Sequence, residues 1–139
     1  MADSMEQTAR SFVEACDSGK GWQVCSAYCA PNATFSAQAE ALDGITTLEA
    51  YTEWAKALPG FMPDASFEIK SFGVDNEHNN VTVSAVFSAT HTGEGGPCPP
   101  TGKHTDTDYV YVMDFDGGKI RHMTKIWNSG YALKELGWA

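Results

Sequence analysis

Apolar residues recur at helical spacing near the start of the chain and at alternate positions near its end. Ser4-Met5-Glu6-Gln7 has the form of a capping box, and Met5, Ala9, Phe12, Val13 and Cys16 follow on one helical stripe that Gly19 closes. A second, short helix is predicted to carry Trp22, Cys25 and Cys29 and to stop before Pro31, after which "ATFSA" reads as a brief strand. Thr46-Thr47-Leu48-Glu49 repeats the capping form and opens a third helix, with Leu48, Tyr51, Ala55 and Leu58 inward and Pro59-Gly60 at its end. The texture then changes. "SFEIKSFGV", "NVTVSAVFSAT", "TDTDYVYVMDF" and "KIRHMTKIWN" are rich in β-branched and aromatic residues and alternate in polarity, so they predict four successive strands. "YALKELGW" predicts a short terminal helix or an extension. Helices followed by a meander make an α+β domain, with helices packed on one face of a curved antiparallel sheet.

The last hairpin can be read in register. Gly117-Gly118 suits a type I′ turn, which needs positive φ at both positions. Unbroken pairing then sets Asp116 against Lys119, Phe115 against Ile120, Met113 against His122, Tyr111 against Thr124, Tyr109 against Ile126 and Thr107 against Asn128. From Phe115–Ile120 onward the paired residues would share the concave face. Val110, Val112, Met123, Lys125 and Trp127 would lie on the convex one. Val110, Val112, Met123 and Trp127 would then form an apolar strip, which predicts a homodimer through the convex sheet face.

Size and charge narrow the classes. The 139 residues, 42% of them hydrophobic, form one domain spanning 1–139. A net charge of −9 argues against nucleic acid and anionic membrane as partners, since both reward basic patches. "MADSMEQTAR" has neither the basic nor the apolar segment of a secretory signal, so a cytoplasmic protein is expected. The four cysteines are then reduced. Cys25 and Cys29 lack a second ligand pair for zinc, so they read as buried structural thiols, and neither a metal nor an organic cofactor is expected.

Thr90-His91-Thr92-Gly93, Pro99-Pro100-Thr101-Gly102-Lys103, Gly118-Lys119-Ile120 and Leu136-Gly137 follow one another as motifs do in a known family. With "MPD" at 62–64, they make the chain resemble the SnoaL-like polyketide cyclases of the nuclear-transport-factor-two-like superfamily, which also includes ketosteroid isomerase and scytalone dehydratase. The resemblance implies a cone of the cystatin-like kind: three helices on the concave face of a bent sheet, around an apolar pocket, with sheets often paired into dimers. It also implies a carboxylate base, whose place falls on Asn128 when counted from Gly118-Lys119-Ile120. The family's Trp falls on Thr124, and the Glu before it on His122. Asn cannot take a proton at useful pH; it can only hydrogen-bond.

His122 is then either the one proton-transfer group on the concave face or a hydrogen-bonded core residue there. It stands about 20 Å from Asn128, six positions away at ~3.3 Å each, so the two cannot share a reacting atom. Tyr109 and Tyr111 either orient a substrate oxygen or fill the core; Thr124 and Ile126 complete that wall. Tyr51, Trp54, Phe61 and Met62 would furnish the apolar wall and mouth. His91 either closes its loop by a hydrogen bond or reaches the site. The loop itself, "TGEGGPCPPTG", is too long for a tight hairpin and reads as a semi-rigid flap over the pocket or a partner contact. Three functions stay open: a cyclase-, isomerase- or dehydratase-type enzyme on a small hydrophobic carbonyl compound, a non-catalytic binder of a small hydrophobic molecule, and a dimeric scaffold with its pocket packed shut.

Overall fold

A computed structural model describes residues 4–139. Helix α1 (Ser4–Asp17) and the short α2 (Trp22–Cys25) lead through a 3₁₀ turn at Ser26–Tyr28 into strand β1 (Cys29–Ala37). A 3₁₀ turn at Glu40–Leu42 precedes α3 (Leu48–Phe61); then come β2 (Ser66–Asp75), β3 (Asn80–Thr90), β4 (His104–Asp116), β5 (Lys119–Trp127) and α4 (Ser129–Leu136). The sheet order is β1-β5-β4-β3-β2. All neighbours are antiparallel except β1 and β5, which run parallel. The α+β architecture is the one expected, with four α-helices rather than three.

Local chemistry sets several boundaries. The Thr47 side chain, one residue later than the expected cap, accepts from the Ala50 amide and starts α3. The capping role read for the Ser4 side chain lies outside the described side chains. The second helix is shorter than its sequence pattern suggested. Cys29 already opens β1, although it stays buried and its thiol donates to the Cys25 carbonyl at 3.5 Å. All four cysteines are free, and Cys16, Cys25 and Cys29 are buried.

The core lies between α1, α3 and the concave face. Phe12, Val13 and Cys16 of α1 and Leu48 and Tyr51 of α3 meet Val81 and Val83 of β3, Tyr111 and Met113 of β4, and Ile120 and Met123 of β5. A smaller cluster of Met62, Ala89 and Leu136, with Phe61 and Trp138 against it, seals the far end.

One residue in β5 changes the expected site. Gly117 and Gly118 do take positive φ, 58° and 81°, and Asp116–Lys119 and Phe115–Ile120 pair as read. Arg121 is then extra. Beyond this bulge Asp114 faces His122, Met113 faces Met123, Tyr111 faces Lys125 and Tyr109 faces Trp127. Because side chains alternate along a strand, one inserted residue exchanges the faces of everything after it. The unbroken pairing from Met113 onward is therefore corrected. Met123, Lys125 and Trp127 point into the cone, whereas His122, Thr124 and Ile126 point out. The strip expected at a dimer interface divides accordingly: Val110 and Val112 stay on the outer face beside Ile126, which is 60% exposed, while Met123 is fully buried inside.

Candidate functional site

The cone encloses a cavity of about 80 Å³ between α3, α4 and the concave face. Leu58, Met62, Phe87, Leu133, Leu136 and Trp138 make its apolar end. Asp17, Tyr51, Tyr109, Tyr111 and Lys125 bring every charge and hydroxyl of consequence to the other end.

These polar groups form one chain. The Lys125 ammonium donates to the Tyr51 hydroxyl at 2.9 Å, and the Tyr51 and Tyr111 hydroxyls are 2.6 Å apart. Tyr111 donates to Asp17 Oδ1 at 2.7 Å, and Tyr109 donates to Oδ2 at 2.5 Å. Each phenol has a single proton, so the directions follow. Tyr111 spends its proton on Asp17, and Tyr51 must donate to Tyr111 while accepting from Lys125. Among the described residues no carboxylate forms a salt bridge with Lys125. Its charge is balanced by Asp17 only through two hydroxyls.

Five rings surround the amine. Its nitrogen lies 4.4 Å from the centroid of Trp127, 5.1 Å from those of Tyr51 and Tyr109, 5.3 Å from Trp54 and 5.9 Å from Tyr111. Ring faces favour a cation, but loss of water disfavours it. Burial prevails and lowers the Lys125 pKa to about 8, although Asp17 pulls upward. Burial likewise raises the Asp17 carboxyl above its ordinary value, against the opposing hydrogen bonds from Tyr109 and Tyr111. Tyr51 and Tyr111 are pushed well up by burial and stay protonated donors. An amine of this kind exchanges a proton near neutral pH and is nucleophilic when neutral.

Of the residues singled out from sequence, Tyr51, Trp54, Met62, Tyr109 and Tyr111 line this cavity, whereas Phe61 packs against His91 and Trp138. His122 faces outward, with Nδ1 2.7 Å from Thr34 Oγ1 and Nε2 3.0 Å from Ser36 Oγ. The Arg121 bulge put it there. Asn128 follows β5 and caps α4, its Oδ1 accepting from the Tyr131 amide at 3.1 Å. Thr124, Ile126 and Asn128 border an open groove outside the cone, shared with Gln38, Glu40 and Asp108. His91 is fully buried behind the cavity wall; its Nδ1 accepts from the indole N–H of Trp138 at 2.8 Å.

That bond explains the glycine- and proline-rich loop. Gly102 donates to the His91 carbonyl at 2.8 Å, Gly93 donates to the Phe61 carbonyl at 2.9 Å, and Thr101 Oγ1 donates to the Leu136 carbonyl at 2.6 Å. At Gly93 a Cβ would come within 2.9 Å of the Gly60 oxygen and Phe61 Cα, so only glycine permits this approach. The loop clamps the end of α3 to the C-terminal turn and thereby fixes Trp138 at the apolar end of the cavity. Sequence reading missed Lys125, Asp17, Trp127 and Trp138. For Lys125 the available signal was its place in a strand between two apolar positions, Met123 and Trp127.

A bent sheet closed by helices thus surrounds an apolar cavity with a few convergent polar groups at one end. The chain belongs to the SnoaL-like polyketide cyclase family, whose model matches residues 7–136. No curated protein is significantly similar to it in sequence. Solved structures share the fold. AclR, a candidate hydroxylase of Streptomyces galilaeus, is 20% identical over 100% of this chain and 87% of its own, with a TM-score of 0.77. IdmH, a candidate polyketide cyclase of Streptomyces antibioticus, is 21% identical over 95% of this chain and 97% of its own, with a TM-score of 0.74. A candidate polyketide cyclase of Acidithiobacillus ferrooxidans is 23% identical over 98% and 96%, also with a TM-score of 0.74. At such identities the likeness is one of fold. No helix among the described residues is long and apolar enough to cross a membrane.

Proposed function

We propose that this chain is a cyclase- or isomerase-type enzyme that activates a small hydrophobic carbonyl compound at the carbon beside its carbonyl, with Lys125 as the acid–base group. The observation that carries this reading is a buried amine, lowered to about 8, at the polar end of an apolar cavity. Neutral Lys125 takes the proton from the activated carbon. The ammonium so formed is held by the surrounding rings and by the Tyr51–Tyr111–Asp17 chain. Asp17 serves as the counter-charge, because both its oxygens already accept a phenol. This assigns to Lys125 the role that the family resemblance implied for a carboxylate at position 128.

The test is deuterium uptake at the acidic carbon of small enolisable ketones in heavy water, followed by proton NMR. The wild-type protein should exchange above the buffer rate, and Lys125→Met should return it to that rate. Equal exchange by the two proteins would refute the assignment. The cavity volume, about 80 Å³ against roughly 300–1,000 Å³ for ordinary ligand sites, favours a second reading in which side chains fill the pocket. Absence of exchange in both proteins would support it.

A further inference from the structure

We propose that Lys125 is a nucleophile as well as a base, and condenses with the carbonyl carbon of a small aldehyde or unhindered ketone to form an imine inside the cavity. This rests on the reading above only in seating a carbonyl compound there.

The surroundings of the nitrogen favour bond formation. Its one hydrogen-bond partner is the Tyr51 hydroxyl, and the rest of its shell consists of ring faces. A neutral amine keeps one N–H on Tyr51 and leaves its lone pair unengaged. The other six lysines are exposed, so among the lysines only Lys125 combines an amine with a water-poor, apolar wall. Lowering of its pKa to about 8 supports the same conclusion, since the neutral form is the attacking one.

The step balances within the residues present. The nitrogen lone pair attacks the carbonyl carbon, and the C–O π electrons move to oxygen, which gains a proton that the nitrogen loses. The resulting carbinolamine then loses its hydroxyl with a second proton as water, leaving a C=N bond to Nζ. Tyr51, 2.9 Å from Nζ and linked through Tyr111 to Asp17, is the positioning group: by accepting one N–H it aims the nitrogen lone pair into the cavity. When the imine nitrogen is protonated, the cation sits where the ammonium sat, over the faces of Trp127 and Tyr109. Exclusion of water slows its hydrolysis.

Reductive trapping tests this. Wild-type protein is incubated with propanal or butanone at pH 7 and treated with cyanoborohydride, and the adduct is located by peptide mass mapping. An exposed lysine titrates near 10.4, so Lys125 should be enriched over the other lysines by on the order of tenfold or more. Tyr51→Phe, which keeps the amine and ring, should slow adduct formation at Lys125 relative to the exposed lysines. Adducts spread over the exposed lysines without enrichment at Lys125, or no adduct at all, would overturn the proposal. Deuterium exchange in the same samples separates the two claims. Exchange that needs Lys125 but yields no adduct leaves the acid–base reading and removes the covalent one. An adduct without exchange does the reverse.

Discussion

Between pH 7 and pH 9.5 the wild-type protein should gain about 2 kcal/mol of stability relative to Lys125→Met. The gain follows from the fall of the Lys125 pKa from 10.5 in the unfolded chain to about 8 in the fold, caused mainly by burial. Below pH 8 both states hold the proton, and the fold bears the full cost of a buried ammonium. Above pH 8 the folded state releases it while the unfolded chain keeps it, so this group's contribution rises with pH until the unfolded value is reached. The full span corresponds to about 3 kcal/mol, of which about 2 kcal/mol falls below pH 9.5. Cys29, Tyr51, Tyr109 and Tyr111 act in the opposite sense at alkaline pH, because burial favours their protonated forms beyond those of the unfolded chain. They are present in both proteins, so the difference reports Lys125 together with its coupling to Asp17. Methionine keeps the apolar stem and removes the charge. Urea unfolding of the two proteins under reducing conditions, at half-unit steps of pH, measures the difference directly. Parallel stability curves would show instead that the rings and Asp17 hold the ammonium at its ordinary pKa.

Further outcomes test other parts of the structure. Asn128→Asp should change stability by less than about 0.5 kcal/mol in urea unfolding and should confer no new carbon-acid exchange, because either residue caps α4 and position 128 lies outside the cavity. Gly117→Val should cost about 1–3 kcal/mol by thermal melting, since a β-branched residue resists a φ of 58°. Trp138→Phe removes the shorter of the two N–H bonds that His91 Nδ1 accepts, leaving the Thr101 amide at 3.4 Å, and it should cost about 1–3 kcal/mol. It should also speed hydrogen exchange at Gly102, measured by mass spectrometry; unchanged protection would mean that the loop is held without this bond.

The fold was legible because it is written in redundant signals. Helical stripes in α1 and α3, alternation in four strands and the Gly117-Gly118 turn all agree with one architecture. The site was half legible. Tyr51, Trp54, Tyr109 and Tyr111 sit on elements whose faces the pattern sets, and β4 alternates without interruption from Thr105 to Phe115. Strand β5 does not. Ile120 and Met123 are both fully buried at a spacing of three, which an unbroken strand forbids and a bulge at Arg121 allows. Either register placed apolar residues on both faces of β5, so polarity could not choose between them. The exchange of faces moved His122 out and Lys125 in. Lysine also belongs on the surface by default, and only tertiary structure brings Asp17, 108 residues away, to the other end of the hydroxyl chain that balances it.

The pH profile of ketone deuterium exchange tests the central role of Lys125 most directly. The rate should rise with pH to a plateau, with a midpoint near the Lys125 value of about 8, and should vanish in Lys125→Met. A profile that survives the substitution, or whose midpoint lies in the carboxylate range, would contradict it and pass the proton to Asp17.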